Sequence, residues 1–169
     1  MFANAEDMTS SQTPISQLLI ETDILADYLL APPGEATLLR TALRQVRCYT
    51  TMLNALELFR AASDAFEREA ILAVLTLVRV LGFPARTAET AALALFEANV
   101  LNKSSASVHI QTRESIVLGL AHASKLGILT RTYNTRYRQL GIVPIYDTLS
   151  PEPSMHHQSF SVTSANTFA

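Results

Sequence analysis

The sequence predicts an α/β domain with a central parallel sheet of four to five strands, covered by helices on both faces. Short apolar runs alternate with longer stretches of helical periodicity, 49% of the residues are hydrophobic, and the mean hydropathy is +0.20. Parallel strands joined by right-handed helical crossovers produce that alternation, and strands buried on both faces produce that apolar bias. With 169 residues the chain is sized for one domain, expected over 15–148, with a polar lead-in at 1–14 and a mobile tail at 149–169.

The run Leu18-Leu19-Ile20 reads as a buried strand. Ile24, Leu25, Tyr28 and Leu29 then repeat at helical spacing until Pro32-Pro33-Gly34 stops them. Leu38, Leu39, Ala42 and Leu43 mark an amphipathic helix, and Arg47 to Thr50 a second strand. Met52, Leu56 and Phe59 share one face of the next helix, while Asn54 and Glu57 share another. Asp64 and Glu67 have capping-box spacing before a helix expected to run through Val78, and Val80 to Phe83 forms a strand closed by Pro84. Thr87 to Lys103 is alanine-rich and helical, and Asn102 to Ser107 is loop-like. Thr112 is the expected N-cap of a helix carrying Ile116, Val117, Leu120 and Ala123, with Glu114 in its first turn. Ile128 to Thr132 and Ile142 to Tyr146 complete the strands.

The net charge of −2 argues against a broadly basic nucleic-acid coat. Cys48 is the only cysteine, so neither an intrachain disulfide nor a cysteine-based zinc site is expected. It reads as a buried structural thiol. The acidic first residues do not read as a secretory signal. The most apolar stretch, Ala70 to Phe83, is too short and too interrupted by Arg79 to span a bilayer. The expectation is a cytoplasmic protein that does not enter a membrane. His156-His157 lies in the polar tail and reads as unstructured rather than metal-binding.

In an open parallel sheet, ligands bind beyond the carboxyl ends of the strands, where strand order reverses. Glu21 ends the first expected strand, and Glu57 and Glu114 meet it there if their helices begin at that edge. Three clustered carboxylates repel one another unless protonated or neutralised, so such a cluster suits a hard divalent cation. Taken singly, each residue has a plainer reading: Glu21 as a solvated strand end, Asp23 as a helix cap, Glu57 as a surface side chain, and Glu114 as a first-turn acid favoured by the helix dipole.

Three segments together resemble the PIN-domain nucleases, and most closely the VapC-type toxins of toxin–antitoxin pairs. LLIETDILADYLL is similar to the family's opening strand and helix, with Glu21 in the first acidic place, Thr22 in the Thr place, and Asp23 where Asn or Ser is common. TTMLNALELFRAA resembles the Ser-Thr-rich helix entry that carries the second acid, here Glu57, with Asn54 one turn before it. ESIVLGLAHASKLGILTRT resembles the segment that runs from the third acid, here Glu114, to a strand ending in Thr. The fourth place falls at Thr132, with Asn134 two residues beyond. Glu stands at the first and third places, where the family usually has Asp.

The resemblance implies a three-layer PIN-like fold and an endoribonuclease in which Glu21, Glu57 and Glu114, with Asp23 as a further ligand, hold magnesium or manganese. Thr22, Asn54, Thr132 and Asn134 would support them. It also implies an RNA substrate, a small antitoxin partner and a homodimer. From Ser115 to Tyr146 the chain has no acids, and Arg131, Arg136 and Arg138 are interleaved with Tyr133 and Tyr137, a combination suited to single-stranded or looped RNA. The alternative is a catalytically inactive PIN-like module that binds RNA or protein.

Overall fold

A computed structural model describes residues 15–101 and 112–149, together with the backbone alone at several positions late in the helix that ends at Leu101. The expected lead-in, the polar loop after Leu101 and the tail beyond Leu149 lie outside the described residues, as does His156-His157. Leu149, the first residue of the expected tail, packs partly buried against the core.

Five strands form one wholly parallel sheet: β1 (Gln17–Ile20), β2 (Arg47–Thr51), β3 (Arg79–Leu81), β4 (Gly127–Leu129) and β5 (Ile145–Tyr146), in the order β3-β2-β1-β4-β5. The connections are helical: α1 (Thr22–Leu30) and α2 (Leu38–Gln45) between β1 and β2, then α3 (Met52–Ala61) and α4 (Ala65–Leu75) before β3. After β3 come α5 (Ala85–Leu101) and α6 (Thr112–Ala123), with α7 (Asn134–Leu140) between β4 and β5. The chain moves outward from β1 through β2 to β3, then returns to lay β4 on the other side of β1. The strand order therefore reverses beside β1, and the carboxyl end of β1 is where a crevice opens.

Side-chain alternation on β1 divides the core in two. Leu18 and Ile20 pack with Ile24 and Leu25 of α1, Leu39 and Ala42 of α2, Leu58 of α3, and Ile71 and Val74 of α4. Leu19 faces the opposite layer, with Val117, Leu118 and Ala121 of α6 and Tyr137 and Leu140 of α7. These three β1 side chains are 0% exposed, and burying each stabilises the fold by roughly 1.5–3 kcal/mol. The register is fixed as well, because a slip by one residue would send every β1 side chain into the wrong layer.

Local chemistry sets the boundaries. Thr37, Thr51 and Asp64 cap α2, α3 and α4, each side chain accepting the backbone N–H three residues on. Glu67 accepts the Ser63 N–H, one residue before the Asp64 N–H that capping-box spacing predicts. Several elements end or start differently from the sequence expectation: β4 covers Gly127–Leu129 rather than Ile128 to Thr132, and Thr112 is the first residue of α6 rather than its N-cap. Thr76 caps α4, so the helix stops at Leu75 rather than Val78. The β3 pairing ends at Leu81 instead of Phe83. The last strand is shortened to two residues because Pro144 has no N–H to donate, although its carbonyl accepts from Ile128. Gly127 is required where β4 passes β5: a Cβ there would lie 2.5 Å from a Tyr146 ring carbon and 3.2 Å from Leu18. Cys48 is buried, and burial pushes its thiol up to about 11, in line with a structural role. Among the described residues, no helix is long and apolar enough to cross a membrane.

Candidate functional site: an acid pair closed by an arginine

The residue following β1 is Glu21, which has extended backbone and caps α1 through its own side chain, accepting the Thr22 N–H at 3.2 Å. Its carboxylate is completely buried. Glu57 comes from the middle of α3, and its side chain is 27% exposed at the mouth of the same crevice. The Thr22 hydroxyl donates to Glu57 Oε2 at 2.5 Å and ties the two segments together. Below them, the buried Asn54 amide donates to the Ile20 carbonyl at 3.0 Å and to the Thr50 hydroxyl at 3.2 Å, fastening α3 to the ends of β1 and β2.

A guanidinium lies between the two carboxylates. Arg113, second residue of α6, donates to Glu57 through Nε (2.5 Å to Oε1) and Nη2 (3.0 Å to Oε2). It donates to Glu21 through Nη2 (2.7 Å to Oε2) and Nη1 (3.3 Å to Oε1). Both acids are thus forked by one cation. Tyr137 completes the ring: its hydroxyl donates to Glu21 Oε1 at 2.6 Å and accepts from Arg113 Nη1 at 3.0 Å. The Tyr133 ring covers the guanidinium at 4.5 Å from its centroid and stacks on Tyr137.

The protonation states follow from these contacts. Burial alone would raise the Glu57 pKa, but the hydrogen bonds from Arg113 and Thr22 and the charges of Arg113 and Arg60 outweigh it and hold the carboxyl below its ordinary value. Burial works to lower the Arg113 pKa, and its two carboxylate partners override it to raise the value further. The Tyr137 phenol is pushed well above the usual tyrosine range, first by burial and then by the adjacent Glu21 charge. The site therefore comprises ionised Glu57, charged Arg113 and a neutral phenol.

Glu114 does not join the pair. It is buried, and its carboxylate takes Arg136 Nε of α7 at 2.5 Å. Asp23 also turns away, toward the segment after β4, accepting the backbone N–H groups of Arg131 and Thr132 at 2.8 Å each and the Thr130 hydroxyl. Thr132 thus meets Asp23 through its backbone, and the Asn134 side chain donates to Asp147 at 2.9 Å. Among the described residues, no three His, Cys, Asp or Glu side chains are grouped so as to hold a metal ion. The expected convergence of three glutamates is replaced by a two-glutamate site filled by an organic cation, and while Arg113 occupies it this donor arrangement does not fit magnesium or manganese.

The basic segment is likewise tied to acids from other elements. Arg131 pairs with Asp27, Arg136 with Glu114, and Arg138 with Asp147. The sequence reading placed Tyr137 on an RNA-facing surface; the structure encloses it completely, with no ring face open to a base. Arg113 was not among the sequence candidates, yet it carried a signal. A cation in the first turn of a helix opposes the macrodipole and needs a compensating anion nearby.

No family model matches the sequence, and no curated protein is significantly similar to it. Solved structures are similar in fold. VapBC2 from Rickettsia felis, bound to a promoter DNA fragment, superposes with a TM-score of 0.62 at 11% identity, covering 77% of this chain and 97% of that one. DNA-bound VapBC from Salmonella typhimurium gives 0.57 at 16% identity, covering 78% and 98%. VapBC-5 from Mycobacterium tuberculosis, of the VapBC family of toxin–antitoxin systems, gives 0.53 at 18%, covering 79% and 99%. With its five-stranded parallel sheet between two helical layers, the chain has the PIN-like fold of the VapC proteins.

Proposed function

We propose that this chain is a toxin-type PIN nuclease that hydrolyses RNA phosphodiester bonds and is held by an antitoxin. The supporting observation is that Glu21 and Glu57, from separate elements, converge on a single cation at the carboxyl edge of the sheet, beside the reversal of strand order. An acid pair in that place is suited to a cation that neutralises a phosphate. Magnesium or manganese is the cofactor that the sequence resemblance implies, and Arg113 must vacate the crevice before either ion is held by these residues. Glu57, ionised and open at the mouth, is the acid positioned to meet a substrate-bound cation. Arg131 and Arg138, both more than half exposed, with the half-buried Tyr133, form the RNA-facing rim in this reading.

For the antitoxin, α1, α3 and α4 offer an apolar groove lined by Leu29, Leu30, Leu58, Phe66, Ala70 and Ile71. Leu30 and Phe66 are 84% and 78% exposed, so a partner helix laid there would remove a large apolar area from water. A second copy of the chain is the other proposed partner, as a homodimer.

RNA cleavage in magnesium or manganese, compared between the wild type and Glu57→Gln, tests the nuclease reading. Cleavage lost in the variant is expected; equal cleavage by both proteins would overturn it. The second reading, an inactive module that binds RNA or the antitoxin, is favoured by the Arg113 bridge and by glutamate at two places where the resembled family usually has aspartate. Binding without turnover in either protein is its signature.

A further inference from the structure

We infer that Arg113 is the resident cation of the crevice, so that its guanidinium and a divalent metal ion are alternative occupants and the chain carries its own block to metal entry. The inference rests on reading the Glu21–Glu57 crevice as the functional site, and it adds the regulation of that site.

Acceptor capacity makes the first part of the case. A carboxylate offers about four lone-pair directions. Those of Glu21 are filled: Oε1 by Tyr137 and Arg113 Nη1, Oε2 by Arg113 Nη2 and the Thr22 N–H. Glu57 accepts from Arg113 twice and from Thr22 once. A metal ion therefore has no ligand at Glu21 unless the arginine moves.

Charge makes the second part. Glu21 is completely buried, and a buried carboxylate needs a compensating cation. Arg113 supplies it from a first-turn position that the helix dipole disfavours, and Tyr133 seals its face. Removing Arg113 leaves an acid pair to be neutralised by a proton or by another cation. The Arg113 side chain is 17% exposed, so the crevice reaches solvent at the arginine.

The experiment follows thermal unfolding of the full chain with and without Mn2+ as the probe, for the wild type, Arg113→Gln and the double variant Glu21→Gln/Arg113→Gln, with Mn2+ binding measured by calorimetry. The wild-type midpoint is expected not to move with Mn2+. Arg113→Gln is expected to melt lower and to regain several degrees in Mn2+, and the double variant to lose that response. Glu21-dependent Mn2+ binding with Arg113 intact overturns the inference and leaves the nuclease reading standing. An Arg113→Gln protein unresponsive to Mn2+ also overturns it. If Arg113→Gln folds only when refolded in Mn2+, the inference is supported; if it fails in both conditions while the double variant folds, the metal is no substitute for the arginine and the inference falls. The nuclease reading fails separately, by equal cleavage in the Glu57→Gln comparison.

Discussion

The Tyr137 hydroxyl donates to Glu21 at 2.6 Å, joining two fully buried side chains that lie 116 residues apart in sequence. Glu21 belongs to the start of α1 and Tyr137 to α7, so one hydrogen bond links the two helical layers at the carboxyl edge of the sheet. Tyr137→Phe keeps the ring packing and removes the donor. The loss expected is about 1.5–3 kcal/mol, as for a hydrogen bond to a buried charge, with an unchanged urea m-value. Urea unfolding at neutral pH measures it.

The same contact predicts an alkaline titration in which one tyrosine stands apart. Tyr137 has its folded pKa raised, so the folded state keeps the proton that the unfolded state releases near 10. That contribution is present below pH 10 and is lost as pH rises above it. Of the five tyrosines, at least one should ionise only as the protein unfolds, and ultraviolet absorbance of tyrosinate reads this out. Tyr137→Phe should remove that step.

For Glu57 the sign is opposite. Its folded pKa is lowered from 4.5, so the unfolded state takes up a proton first on acidification. The stabilisation is present above about pH 4.5 and is lost as pH falls through the folded value. The stability difference between the wild type and Glu57→Gln should be flat from neutrality down to that point and shrink below it. Denaturant unfolding across the acid range checks the shape.

Asp23 anchors the segment after β4 through two backbone N–H groups and a hydroxyl. Asp23→Ala leaves those donors to water and is expected to cost roughly 1–3 kcal/mol. Amide hydrogen exchange at Arg131 and Thr132 should accelerate more than elsewhere in the sheet.

The framework was legible because its signals are local. Leu18-Leu19-Ile20 declares a strand buried on both faces, and Asp64 with Glu67 declares a helix start. The positions of Glu21 and Glu57, one just past a strand and one on a helix face shared with Asn54, were legible for the same reason. What they hold was not. Arg113 meets Glu57 and Glu21 across 56 and 92 residues, and periodicity carries no information about such meetings. Glu114 was expected at the pair because it lies in the first turn of α6, but neighbouring helix positions face directions about 100° apart. Arg113 takes the direction of the crevice, and Glu114 turns to Arg136. The basic segment looked unopposed because its acidic partners, Asp27, Glu114 and Asp147, lie outside the window in which acids were absent.

Adjacent residues of opposite sign at the start of α6 also fix how that helix is rotated about its axis. Turning it by one residue would bring Glu114 against Glu21 and Glu57 and crowd three anions together, while Arg113 would lose both forks. The same turn would displace Val117, Leu118 and Ala121 from the cluster they fill with Leu19 and Tyr137. Charge at a single turn and greasy packing along the rest of the helix therefore specify one and the same angular address.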